Sequence, residues 1–234
     1  MTVTIQQPNE RFSTDIGWLK SKHSFNFGAH YSPQHAGHGL LLVSNDDRVA
    51  PASGFGAHGH RDMEIVTWVL AGTLEHHDSE GNHGVLYPGL AQRMSAGLGI
   101  RHSEMNPSPD TEVRFIQMWV VPDTAGNKAS YQQLDINAEL ATGGLVAIAS
   151  GQGHDAAISI GQRDAVLWGA RLSAHQTVIL PSDAHVHTFV ALGSATLEGG
   201  QDLAEGAAAR LTDAGPLSLT AGPEGAELLV WATA

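Results

Sequence analysis

Two short motifs carry metal-donor atoms at a matching spacing: His58-Gly59-His60 and, further along the chain, His102-Ser103-Glu104. On a β-strand, side chains two residues apart leave the same face. Neighbouring strands would then point three imidazoles and one carboxylate into a single interior. Such a mixed nitrogen and oxygen set suits a divalent transition metal such as iron, manganese, nickel, copper or zinc. Around a six-coordinate ion, four protein ligands leave two positions for substrate and dioxygen. Zinc in a closed tetrahedral site would instead be structural. Phe55-Gly56 precedes the first pair and Ala96-Gly97-Leu98-Gly99-Ile100 the second, so a buried, pre-shaped site is expected rather than a surface one.

Glu64 competes with Glu104 for the carboxylate position, because it stands at i+4 from His60 and shares its face if the strand is continuous. A kink at Arg61-Asp62 would turn it away. It is placed behind the ligands, where it could orient a histidine or accept a proton. The remaining histidines have plainer readings. His76-His77 lie between Glu75 and the polar run Asp78-Ser79-Glu80-Gly81-Asn82 and are expected to be solvated; His35 and His38 sit in a Gly-rich loop. His185-Val186-His187 repeats the His-x-His pattern. A weak internal repeat aligns Gly72 with Gly193, which sets His185 opposite Glu64 and leaves the equivalents of His58 and His102 near Ile179 and Pro223. One metal site is therefore expected, in the N-terminal half.

The elements that would position these residues are short. Apolar runs such as Leu40 to Val43, Ile65 to Leu70, Phe115 to Val121 and Leu228 to Trp231 end in Gly, Asn, Asp or Pro. They are too brief for helices and rich in the types that suit sheets. One helix is expected around Tyr131 to Leu140, after the polar stretch Asp123 to Ser130. That stretch divides the chain into two all-β halves, residues 1–130 and 131–234. With 42% hydrophobic and 15% charged residues, the 234-residue chain is globular rather than disordered. The 27 glycines fit frequent tight turns, and the repeat points to duplicated barrels.

A net charge of −12 argues against direct binding to nucleic acid or to an anionic membrane. Protonation of all 14 histidines would carry it to +2. Absence of cysteine removes disulfides and thiolate chemistry. The N-terminal residues Met1 to Pro8 lack a basic region followed by an apolar stretch, and no apolar run approaches the roughly 18 residues of a membrane span. A cytoplasmic protein is expected.

The segment Gly54-Phe55-Gly56-Ala57-His58-Gly59-His60-Arg61-Asp62-Met63-Glu64-Ile65-Val66 closely resembles a signature of the pirin family of the cupin superfamily. So do Leu74 to Asn82, Met94 to Pro107, Gly17-Trp18-Leu19 with His23-Ser24-Phe25, and Asn45-Asp46-Asp47-Arg48-Val49. The resemblance covers about residues 9–125. Gly59 departs from it, since the family usually has proline between the two ligands. The resemblance implies a bicupin of two facing β-barrels with one metal, usually iron, held in the N-terminal barrel by His58, His60, His102 and Glu104. Several bacterial members are similar to quercetin 2,3-dioxygenase, whereas a human relative is described as a nuclear transcriptional cofactor.

The leading expectation is a metal-dependent dioxygenase acting on a flavonol such as quercetin or a related enediol-like aromatic. Glu104 or Glu64 would take the substrate's hydroxyl proton, and ring opening would release carbon monoxide, as the resemblance suggests. Small aromatic substrate and dioxygen are the partners, and no organic cofactor is called for. The alternative is a non-enzymatic, iron-binding redox-sensing regulator acting through a protein partner, with hydrolysis or isomerisation at the same metal as a third reading. A cavity beside the metal with room for a planar two-ring molecule favours the enzyme; a plugged one favours the switch.

Overall fold

The computed structural model describes residues 1–234 and is built almost wholly of strands. In the N-terminal half a seven-stranded sheet runs in the order Ser130–Asp135, Leu90–Ser95, Glu64–Ala71, Val113–Val120, Leu41–Val49, Leu19–His23, Phe12–Asp15. It faces a four-stranded sheet ordered Gly54–His60, Ile100–Met105, Leu74–Asp78, His83–Leu86. A nine-stranded sheet, centred on His185–Leu197 and Ser218–Thr233, makes the C-terminal barrel. The architecture is the all-β, two-barrel one expected. No helix is long and apolar enough to cross a membrane.

Strand Glu64–Ala71 is apolar on both faces for a physical reason. Val66, Trp68 and Leu70 pack on Ile148, Leu167, Phe189 and Trp231 of the other half, while Ile65 and Val69 point into the N-terminal barrel. A strand covered on both faces loses its in–out alternation. Each fully buried aliphatic or aromatic side chain stabilises by about 1.5–3 kcal/mol, so a 22-residue cluster between the barrels makes the two halves mutually dependent. Trp68 donates across this interface to Glu227 at 2.7 Å.

The barrel interiors differ in kind. The C-terminal one is filled by aliphatic residues, among them Leu172, Val186, Val190, Leu211, Leu228 and Val230. The N-terminal one holds an apolar plug around Leu74, Val113 and Phe115 at one side and buried polar residues at the other.

The repeat is present in the backbone. Gly72 and Gly193 both sit at positive φ, +74° and +75°, and a Cβ there would lie 2.8 Å from Glu112 O and 2.2 Å from Gly225 O respectively. Glu64 and His185 each open the strand leading to that glycine. Two features differ from expectation. Tyr131 to Asp135 belong to an edge strand, and only Asn137–Leu140 is helical. Edge strands also cross the boundary expected at residue 130: Thr2–Gln6 pairs with Ala208–Thr212, and Ser130–Asp135 pairs with Leu90–Ser95.

Candidate metal centre

Strands Gly54–His60 and Ile100–Met105 are antiparallel neighbours, with His102 directly opposite His58 and a bulge between His102 and Glu104. His58 Nε2 and His102 Nε2 come within 3.1 Å. The three rings of His58, His60 and His102 have centroids 4.5–4.9 Å apart, and one nitrogen of each lies within 4.8 Å of the others. His58 Nδ1 is 2.8 Å from Gly56 O. A carbonyl can only accept, so Nδ1 carries a proton, and the tautomer this selects directs Nε2 toward the other two rings. His60 Nε2 is buried and has no hydrogen-bond partner. Glu104 is buried, accepts from Gln117 Nε2 at 2.8 Å, and places its carboxylate within 4.8 Å of ring nitrogens of His102 and His76.

Burial, then repulsion from His58, pushes the His60 imidazole down to about 4. Burial, then His58, His60 and His76, takes His102 to about 2. Burial lifts Glu104 to about 7 despite the Gln117 amide, which favours its charged form. Three imidazoles with converging nitrogens, two of them held neutral by burial and one nitrogen orphaned, beside a buried carboxyl are the donor set a divalent transition ion takes. The residues present fit such an ion.

His58, His60 and Glu104 line a cavity of about 210 Å³, with His102 buried behind them. Phe27, Phe55 and Trp119 supply aromatic walls, Trp119 meeting His60 edge-on at 4.9 Å. The rest of the lining is polar, with Ser21, His23, Asn45 and Asp47, and the His23 ring stacks on Phe27 with centroids 5.2 Å apart. Ser21 Oγ donates to Asp47 Oδ1. His23 Nδ1 is 2.9 Å from Asn45 Oδ1 and its Nε2 3.0 Å from Thr14 Oγ1, which in turn is 2.9 Å from His30 Nε2. Burial raises the Asp47 carboxyl to about 7, against the Ser21 hydrogen bond.

Glu64 does not share this cavity. Asp62 adopts φ +48° between the two strands, so the face is not continued from His60. Glu64 pairs with Val120 and lies in the same alternation as Val66 and Trp68, on the face toward the other half. There it accepts from Ser95 Oγ at 2.7 Å and abuts Gly161. His76 also differs from expectation. It is 1% exposed, its Nδ1 lies 3.4 Å from His102 Nδ1, and its Nε2 lies 3.3 Å from Asp78 Oδ2. Period-two alternation from His77, a neighbour read correctly as exposed, was the signal for it. His38 and His185 meet at 5.3 Å far from the cavity, and His35 packs on Phe12.

The chain matches the Pirin family model over residues 5–120 and the quercetinase C-terminal cupin domain over residues 147–231. A Mycobacterium tuberculosis (H37Rv) protein, provisionally named a quercetin 2,3-dioxygenase, is 58% identical over 231 residues, 98% of this chain and 94% of the relative. The quercetin 2,3-dioxygenase of Escherichia coli K12 is 37% identical over 198 residues, 84% of each chain. The crystal structure of the bacterial pirin YhhW from E. coli in complex with nickel(II) superposes with a TM-score of 0.90 at 32% identity, covering 99% of both chains. By motif, fold and these relatives, the chain belongs to the pirin family.

Proposed function

We propose that the protein is a metal-dependent dioxygenase that cleaves a flavonol such as quercetin, or a related enediol-like aromatic. The observation that carries this reading is the open, aromatic-walled cavity in contact with His58, His60 and Glu104. A plugged pocket would have favoured a structural or switch-type centre instead. Relatives named as quercetin 2,3-dioxygenases support the substrate class. At about 210 Å³ the cavity is smaller than the roughly 300–1,000 Å³ of pockets that enclose drug-sized ligands. A cavity of that size encloses part of a flavonol and leaves the rest of the molecule outside it.

His58, His60 and His102 would hold the ion through Nε2, with Glu104 as the fourth ligand. When bound, the ion supplies Lewis acidity toward the substrate's hydroxyl oxygen and a redox partner for dioxygen. Iron is the metal proposed, and manganese, nickel and copper are the alternatives to be separated by loading; zinc, which has no redox chemistry, would supply Lewis acidity alone. The chain's own work is positional and protonic. Phe27, Phe55 and Trp119 orient the flat substrate and exclude water, and His76 backs the His102 ring. Asp47 takes over the role expected of Glu64: its carboxyl faces the cavity and is placed to accept the hydroxyl proton.

Oxygen uptake on adding quercetin, with protein reconstituted separately with iron, manganese, nickel and copper, tests the proposal. Uptake is expected with at least one metal and is expected to vanish in His58→Ala. No uptake with any metal, despite confirmed loading, would overturn it.

A further inference from the structure

A second group of donors lies on the outer face of the hairpin formed by Leu74–Asp78 and His83–Leu86, away from the cavity. His77 and His83 are directly opposite in its register, and directly opposed residues project to the same face of a sheet. Glu75, two residues before His77, joins them there. The two imidazoles stack with centroids 4.0 Å apart and planes 17° from parallel. Both Nε2 atoms converge on a single oxygen, Glu75 Oε1, at 3.4 Å from His77 and 3.0 Å from His83. All three donor atoms lie within 4.8 Å of one another.

We propose that Glu75, His77 and His83 form a second, solvent-open binding site for a divalent transition ion of the zinc, nickel or copper type. Two imidazoles and one carboxylate are a borderline donor set for these ions. Zinc bonds of about 2.0–2.2 Å to nitrogen and oxygen need only small rotations of exposed rings and carboxylate from the separations found. The His83 hydrogen bond holds the Glu75 carboxyl below its usual range, so an anionic oxygen is present at neutral pH. Water completes the coordination. A chain of net charge −12 also draws cations to its surface. The site is independent of the catalytic reading. It bears on that reading only through the hairpin, because the next residue, His76, faces inward against His102.

Zinc titration of the metal-free full-length protein, with metal content measured after gel filtration and binding followed by calorimetry, tests the site. The double variant His77→Ala/His83→Ala is expected to lose one zinc equivalent per chain. It should do so in both the wild-type and the His58→Ala backgrounds, so the outcome does not depend on the buried centre. Glu75→Gln is expected to weaken this zinc while leaving the other unchanged. His175→Ala, which removes an exposed histidine outside any donor cluster, is expected to lose none. Unchanged zinc content in the double variant in either background, or an equal loss from His175→Ala, would overturn the proposal.

Discussion

The two glutamates resolve by side-chain parity. Glu104 stands two residues from His102 across a bulge and stays on the cavity side, whereas Glu64 follows a left-handed Asp62 and faces the other half. Glu104→Gln is therefore expected to lower metal content of the purified protein by at least tenfold, with Glu64→Gln retaining it. Metal analysis of the two variants checks this, and the reverse order would refute the ligand assignment. Asp47→Asn is expected to keep its metal but to lose about 10²-fold or more in quercetin-dependent kcat, together with the pH dependence that Asp47 contributes. A pH–rate profile beside metal content separates that result from loss of the ion. The i, i+2 spacing made the four proposed donors legible in the sequence. It could not reveal Asp47, which lies on the preceding strand Leu41–Val49, whose hydrogen-bonded neighbours are not the donor strands, and neighbouring Glu75 and Asp78 disguised the buried His76 as part of a polar turn.

The strands legible as apolar runs are ones with one or both faces buried, whereas Gly54–His60, which has no buried residue, was legible only through its His-x-His spacing. Ser130–Asp135 is an exposed edge strand with Leu134 half open to solvent. Its sequence therefore lacks alternation, and propensity alone reads it as helix. Glycine positions show a similar dependence on context. A Cβ at Gly59 would meet nothing nearer than Ile100 O at 3.7 Å, and the backbone there is not at positive φ. Gly59→Ala is expected to stabilise by about 0.5–1 kcal/mol, by restricting the unfolded chain, and to leave metal content unchanged. Gly72→Ala places a side chain at φ +74° and 2.8 Å from Glu112 O, and is expected to cost about 1–3 kcal/mol. Urea denaturation of both variants would check the opposite signs. The family's usual proline at position 59 is consistent with a site that tolerates a Cβ.

Across the whole molecule, local pattern gave two β halves but not the exchange of edge strands between them, since pairing partners some two hundred residues apart leave no local trace. The same interface buries ionisable groups that sequence order scatters. His187 is 2% exposed, its Nε2 has no hydrogen-bond partner, and burial, followed by Arg210, His38 and Arg11, pushes its imidazole well below the usual range. Burial also lowers His23 and His38. In the unfolded chain an imidazole protonates as the pH falls through about 6.5; folded, His187 stays neutral. Unfolding then takes up protons, so the folded state is undisturbed above that pH and loses stability below it, by about 1.4 kcal/mol per pH unit for each such group. Asp47 and Glu104 act in the opposite sense, because their carboxyls, raised to about 7, bind protons in the folded state and favour folding as the pH falls toward 4. The depressed imidazoles outnumber these two carboxyls, so a net loss of stability between pH 6 and 5 is expected. His187→Gln is neutral at every pH and lies outside the candidate centre. It is expected to flatten the slope of unfolding free energy against pH over that interval by about 1.4 kcal/mol per unit, whatever its effect on stability at pH 8. An unchanged slope would mean that His187 carries a proton in the folded protein, and that the cationic surroundings of Arg11 and Arg210 do not exclude it.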